Sequence, residues 1–208
     1  MLPQVFKQWI DSQYERPRGI VGTYIGEKMV RQHRIEVAWT LNQLSVRPSS
    51  TILELGCGAG DALASSLRKW PDVQVIGLDR SPTMVASAKK RNNRALQAKR
   101  VNVLQGEFQS IPLPNASVGC IFSVHTLYFW QDIGLVLAEI DRVLKPGGTF
   151  VITYCDGKGD IHWDGIETSV HDQFIPSVQK MGYHDVSIER GPDSRDYHTA
   201  AITGRKPD

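Results

Sequence analysis

Two rhythms alternate along this chain. Short runs rich in β-branched and aromatic residues are separated by stretches whose apolar positions return every three or four residues. Thr51–Leu55, Val73–Leu78, Val101–Leu104, Val118–Val124, Thr149–Tyr154, the alternating Val186 and Ile188, and Tyr197–Thr203 predict seven strands. The fourth is apolar enough to be buried on both faces. Between the strands, Asp61–Trp70 predicts a helix with Leu63, Leu67 and Trp70 on one side. Ser81 and Pro82 open another, serine as N-cap and proline where its missing N–H costs nothing. Ile133–Leu144 carries a stripe of Ile133, Val136, Leu137, Ile140, Val143 and Leu144, capped by Asp132 and stopped by Lys145-Pro146-Gly147-Gly148. Residues 166–181 repeat at helical spacing (Val170, Phe174, Val178, Met181), with Pro176 predicting a kink or break. Residues 27–45 predict a long amphipathic helix bearing Val30, Val37, Leu41 and Leu44. Strand–helix alternation of this kind requires an α/β fold with a mainly parallel sheet covered on both faces. The leading helix is expected near the carboxyl ends of the strands, where ligand crevices form.

Composition narrows the class. A chain of 208 residues, 41% apolar and 22% charged, suits one soluble globular domain, with 1–45 as an N-terminal helical cap and 46–208 as the core. No apolar run approaches the roughly 18 residues of a membrane span, and the charged N-terminal segment does not read as a secretory signal. Cys57, Cys120 and Cys155 are odd in number without CxxC spacing, so neither a disulfide framework nor a metal site is expected, and the cytoplasm is the expected location. A net charge of +2 is too small to argue for nucleic acid. The basic stretches 16–34 (Arg16, Arg18, Lys28, Arg31, Arg34) and 89–100 (Lys89, Lys90, Arg91, Arg94, Lys99, Arg100) read as solvated faces, the second at a helix end where cations suit the dipole.

Candidate chemistry concentrates at the first strand–helix turn, Glu54-Leu-Gly56-Cys-Gly58-Ala-Gly60. Glycines there permit a sharp bend and the close approach of a ligand to the main chain. Asp61 stands where the dinucleotide fingerprint wants glycine or alanine, and Glu54 would repel a pyrophosphate but suit a cationic ligand. A nicotinamide oxidoreductase is therefore disfavoured. Asp79 closes the second strand, where a carboxylate grips both hydroxyls of a ribose.

The ordered set ILELGCGAG, IGLDRSPTMVASA, QGEFQSIPLP, IFSVHTLYFWQD and EIDRVLKPGGTFVI resembles the class I S-adenosylmethionine-dependent methyltransferases of small-molecule type, over roughly residues 51–154. The resemblance implies a Rossmann-like three-layer sandwich whose seventh strand is antiparallel. It implies S-adenosyl-L-methionine as cofactor and S-adenosyl-L-homocysteine as product. Glu54, Gly56, Cys57, Gly58 and Gly60 would line its methionine and ribose portion, with Asp79 on the ribose hydroxyls. Arg80 and Met84 would flank the adenine, Gly106, Glu107 and Phe108 would meet its amino end, and Ser123 and His125 would face the methyl group. Two positions depart from the family: Glu107 stands where aspartate is commoner, and Gly119 where an acidic residue is frequent.

Sulfonium methyl transfer is an in-line displacement that positioning alone can accelerate, so no dedicated base is required. If one acts, His125 is the candidate by position, its alternative role being a hydrogen bond that orients the cofactor or the next loop. In the aromatic run Tyr128, Phe129 and Trp130, at least one ring is expected to be packing, with Tyr128 and Trp130 as candidate substrate contacts. Tyr24, in Gly22-Thr-Tyr-Ile-Gly26, is a candidate for closing over the site. His33 reads as a satisfied core histidine and Cys57 as a small pocket-lining side chain. Asp156, Asp160, His162, Trp163 and Asp164 read first as an exposed polar loop. The expected partner is a small organic acceptor with an oxygen or nitrogen nucleophile. RNA or protein methylation on the same fold is the alternative, against which Ser123-Val-His-Thr126 stands where adenine-N6 enzymes carry Asn/Asp-Pro-Pro-aromatic. A non-catalytic cofactor binder is a further alternative.

Overall fold

A computed structural model describes residues 18–208, so the part of the expected helical cap before residue 18, with Arg16, lies outside the described residues. Strands β1 (Thr51–Leu55), β2 (Gln74–Asp79), β3 (Val101–Gln105), β4 (Val118–Val124), β5 (Leu144–Lys158), β6 (Ile161–His162), β7 (His184–Arg190) and β8 (Tyr197–Arg205) form one sheet in the order β3-β2-β1-β4-β5-β8-β7, with β6 paired to the end of β5. Contacts among β1 to β5 are parallel, and β8 runs antiparallel between β5 and β7. Sequence and structure agree on this architecture, the final antiparallel strand included.

Strand parity decides which helix layer each side chain meets. Leu53, Leu55, Ile121 and Ile152 point to one core, which they share with α6 (Ile133–Val143) and the run from α7 (Asp164–Thr168) to α8 (Ile175–Lys180). Ile52, Val75, Cys120 and Phe122 point to the other, with α2 (Arg34–Gln43), α3 (Asp61–Lys69) and α4 (Pro82–Arg91). A short α5 (Asn93–Gln97) follows α4. Both expected caps form: Ser81 Oγ accepts the Met84 N–H at 3.3 Å, and Asp132 Oδ1 accepts that of Leu135 at 2.9 Å.

Several boundaries move for identifiable reasons. The predicted helix 27–45 is two helices, α1 (Gly19–Gln32) and α2, meeting at His33. α1 begins earlier than predicted and takes in Gly26, where a Cβ would lie 2.7 Å from Met84 Sδ. Lys145-Pro146-Gly147-Gly148 does end a helix, but the chain enters β5 at once, with a register shift against β4 and Gly147 at φ +65° absorbing the irregularity. The irregularity predicted at Pro176 is present: α7 gives way to a π-helical stretch, Ser169–Phe174, and Pro176 lies in the first turn of α8. Strand β6 is too short to leave an alternation in the sequence.

Candidate active site

The glycine turn after β1 is held by a tight set of main-chain bonds. Gly56 and Cys57 donate their N–H groups to Leu78 O at 2.8 and 3.1 Å, and Gly60 donates to Cys57 O at 2.8 Å. Gly56, at φ +77°, needs both its conformation and its missing side chain, since a Cβ would collide with Thr126 Cγ2. Gly60, at φ +79°, lies 2.9 Å in the same sense from the Ala88 backbone, so it seats α4 against the turn. Above this turn, at the carboxyl ends of β1, β2 and β4, opens a cleft of about 470 Å³, a size suited to a small-molecule cofactor.

One end of the cleft is acidic. Asp79 Oδ2 accepts the Gly58 N–H at 2.9 Å and Oδ1 accepts that of Ser81 at 2.8 Å, fixing the carboxyl with further lone pairs to spare. Burial raises its pKa, opposed by those two N–H groups. Glu54 is 4% exposed and its Oε2 has no hydrogen-bond partner. Burial first, then the charges of Asp79 and Asp61, push its pKa well above the carboxylate range. A buried carboxyl oxygen left unpartnered is a vacancy for a donor, and a cationic ligand fits it. Cys57 is buried with its thiol pKa pushed well up by burial, so it lines the cleft without being a nucleophile.

A family described as a methyltransferase domain matches residues 53–152. The uncharacterized methyltransferase YdaC of Bacillus subtilis is 30% identical over 164 residues, 79% of this chain and 88% of that protein. The chain belongs to the class I S-adenosylmethionine-dependent methyltransferases. A malonyl-[acyl-carrier protein] O-methyltransferase of Xylella fastidiosa is 33% identical over 121 residues, 57% of this chain and 40% of its own length. Among solved structures, the Haloferax volcanii complex of the Trm112 methyltransferase activator with its methyltransferase matches with TM-score 0.76 and 22% identity, over 89% of this chain and 94% of that one, a likeness of fold.

The structure brings most of the methyltransferase's expected cofactor residues to the cleft wall: Glu54, Gly56, Cys57, Gly58, Asp79, Arg80, Met84, Glu107, Phe108 and His125. Others stand behind it. Gly60 is the N-cap of α3, and Gly106 packs over Leu78 and Pro112. Ser123 is fully buried, its Oγ donating to Leu55 O at 2.9 Å and sharing a hydrogen bond with Thr126 Oγ1, so Thr126 occupies the wall in its place. Trp130 is core: its indole N–H donates to Thr126 Oγ1 at 3.1 Å and its ring stacks on Phe174. Phe129 is the ring of the aromatic run that faces the cleft. Tyr128 sits behind His125, its hydroxyl accepting the Cys155 N–H. Tyr24, 67% exposed, points outward from α1 instead of closing over the site. Asp156, expected in an exposed loop, lies near the end of β5, where it pairs with Arg190 and does not reach the cleft. Gly119 starts β4 beside Ser50, away from the cleft.

Opposite the acidic end, the wall comes from the covering helices and the end of β4: Met29, Val30, His33, Val37, Val124 and His125. His33, expected in the core, is here in the wall, with its ring 4.4 Å from that of His125. The stripe from Val30 to Val37 is apolar as its periodicity predicts, but it borders a ligand space, with Val37 also packed against the core on that face of the sheet. His125 has φ +58°, unusual for a side-chain-bearing residue and typical of strained functional positions. Its Nδ1 lies 3.3 Å from the Tyr128 hydroxyl, and its Nε2 lies 3.7 Å from Oε1 of Glu36. Glu36 was not anticipated. It is wholly buried and paired with Arg195 at 3.1 Å. Burial pushes its pKa up, but the neighbouring His125 and hydrogen bonds, that of Arg195 among them, carry it down to about 2, so it is ionised.

Proposed function

We propose that this methyltransferase moves the methyl group of S-adenosyl-L-methionine to an oxygen or nitrogen nucleophile of a small organic acceptor. The observation that carries the reading is the polarity of the cleft: two carboxyls over a glycine turn at one end, apolar side chains and imidazoles at the other. The bound cofactor would supply a sulfonium methyl, electrophilic and attached to a good leaving group. Glu54 would take the cationic amino-acid portion, where its free oxygen gains the donor it lacks. Asp79, already oriented by Gly58 and Ser81, would take the ribose hydroxyls, while Arg80, Met84, Glu107 and Phe108 would bound the adenine. The apolar end would exclude water and hold the acceptor in line, which is where most of the acceleration arises.

His125 does not fit the role of a free base. One ring nitrogen faces Tyr128, and the other is closed off from solvent beside Glu36. Its part is positioning. The oxygen acceptor named for the Xylella fastidiosa relative supports oxygen among the possible nucleophiles.

The test is incubation with methyl-labelled cofactor and cell extract separated into small-metabolite, RNA and protein fractions. Label is expected in the small-metabolite fraction. Label confined to RNA or protein would overturn the acceptor class while leaving the cofactor assignment intact.

A further inference from the structure

Two imidazoles stand at the methyl-facing end, and only one is available to a ligand. His125 is 10% exposed, its Nε2 is buried with Glu36 as the nearest acceptor, and its Nδ1 faces the Tyr128 hydroxyl and, at 3.9 Å, Cys155 Sγ. Burial pushes the Tyr128 pKa far up, so that hydroxyl keeps its proton. The ring is thus held between the Tyr128 hydroxyl, which can donate to Cys155 O at 3.3 Å, and the ionised Glu36. Thr40, one turn along α2 from Glu36, shares a 2.6 Å hydrogen bond with Thr153 of β5 and so fixes the helix that carries the carboxylate. His33 differs. Its ring lines the cleft and rests on His125, and among the described residues neither of its nitrogens has a hydrogen-bond partner or is sealed from solvent.

We propose that His33 is the residue that meets the acceptor, with His125, Glu36 and Arg195 as its positioning platform, and that the acceptor presents an uncharged hydroxyl. The inference rests on the methyltransferase reading above. Burial, then the neighbouring His125, with Arg195 also contributing and Glu36 opposing, lowers the His33 pKa to about 3. At neutral pH the ring is therefore uncharged and adds no repulsion to an approaching sulfonium. A neutral imidazole accepts the hydrogen bond of a hydroxyl and aims the oxygen lone pair at the methyl.

The chemistry selects among nucleophiles. As the oxygen–carbon bond forms, the carbon–sulfur bond breaks and its electron pair goes to sulfur. The oxygen then carries a positive charge and is strongly acidic, so even a weakly basic imidazole takes its proton and passes it to water. An ammonium product is far less acidic and would not yield its proton to this ring. A carboxylate would need a cation, and Arg195, the nearest guanidinium in this platform, is paired with Glu36.

The test uses the full chain, labelled with ¹⁵N-histidine and saturated with S-adenosylhomocysteine, with benzyl alcohol, benzylamine and benzoate as probes of one shape and three chemistries. Calorimetry first establishes that the homocysteine product binds; failure there removes the methyltransferase reading itself. In long-range ¹H–¹⁵N spectra, His33 is expected to remain neutral from pH 8 to 5 (about two units above its lowered pKa). The His125 ring signals are expected to move in Glu36→Gln, which removes the charge beside Nε2. Benzyl alcohol should shift a His33 nitrogen in the wild type, with smaller or no shifts from the other two probes. No shift of His33 by the alcohol, a larger shift by the amine or the carboxylate, or a His33 that titrates near 6.5 would overturn the proposal while leaving cofactor binding standing.

Discussion

The acidic and imidazole ends of the cleft are built in opposite ways. The acidic end is local: Glu54, Gly56, Cys57 and Gly58 occupy one strand-to-helix turn, and Asp79 closes the adjacent parallel strand, in register beyond Leu78. The imidazole end is assembled from three distant parts of the chain: His33 and Glu36 at the start of α2, His125 after β4 and Arg195 between β7 and β8. Each end buries a carboxyl with one unbonded oxygen, but among the described residues Glu36 has an ion-pair partner in Arg195 and Glu54 has none. A ligand that donates to Glu54 would supply the charge partner that the first lacks. Function and stability therefore load on different residues.

Removing the partner of a charge is expected to have the largest effect. Glu36→Ala strips Arg195 and His125 of their carboxylate and should cost about 3 kcal/mol of stability, toward the low end for a broken buried pair because Arg195 is partly solvated. Urea midpoints would measure it, and a variant as stable as wild type would erase the contrast between the two ends. On the acidic side, Asp79→Ala should leave the fold standing but weaken binding of the homocysteine product by about 1.5–3 kcal/mol, roughly 10- to 150-fold. Equilibrium dialysis would show whether the loss is that large.

Glu54→Gln should separate the two loads more finely. In the free protein the raised pKa of Glu54 means that the native state holds a proton which the unfolded chain releases, so stability falls as pH rises from about 4.5 toward the raised value. The glutamine variant should lack this decline and be more stable than the wild type at neutral pH without ligand. It should also lose the rise of S-adenosylmethionine affinity with pH, because the wild type must give up the Glu54 proton to hold a cation. Identical pH profiles for the two proteins would show that Glu54 does not face the ligand.

The imidazole end has the reverse pH behaviour. With its pKa lowered to about 3, His33 stays neutral in the fold while the unfolded chain protonates near 6.5, so stability should fall as pH drops from about 6.5 toward 3. Glu36, lowered to about 2, adds a further loss as the pH falls from about 4.5 toward that value. Thermal melts of His33→Asn should show the upper part of this acid sensitivity reduced. The smallest effect belongs to Tyr24→Ala, which should stay within about 0.5 kcal/mol of wild type, since the ring is solvated and outside the cleft wall.

The same contrast explains what could be read from the sequence. A glycine turn and the carboxylate at the end of the next strand are set by spacing within one β-α-β unit, so Gly56, Gly58, Glu54 and Asp79 were visible as a group. Caps at Ser81 and Asp132 are equally local and formed as expected. Glu36 was invisible because a glutamate on a helix ordinarily reads as a solvated residue, and only the β7–β8 connection, far along the chain, supplies Arg195 to bury it. His33 lies on the predicted helical stripe but borders the cleft, since periodicity tells which face is apolar but not whether a cleft or a sheet lies opposite. Ser123 and Trp130 missed the wall for a related reason: the chain bends after β4, and Thr126 and Phe129 take the inward positions.

Calorimetric titration of the wild-type protein with S-adenosylhomocysteine and, separately, with NADH bears on the acidic, glycine-floored end most directly. The homocysteine product should bind with one site per chain and NADH should give no saturable heat. Saturable NADH binding with none of the homocysteine product would mean that the turn receives a pyrophosphate, against everything inferred from Glu54 and Asp79.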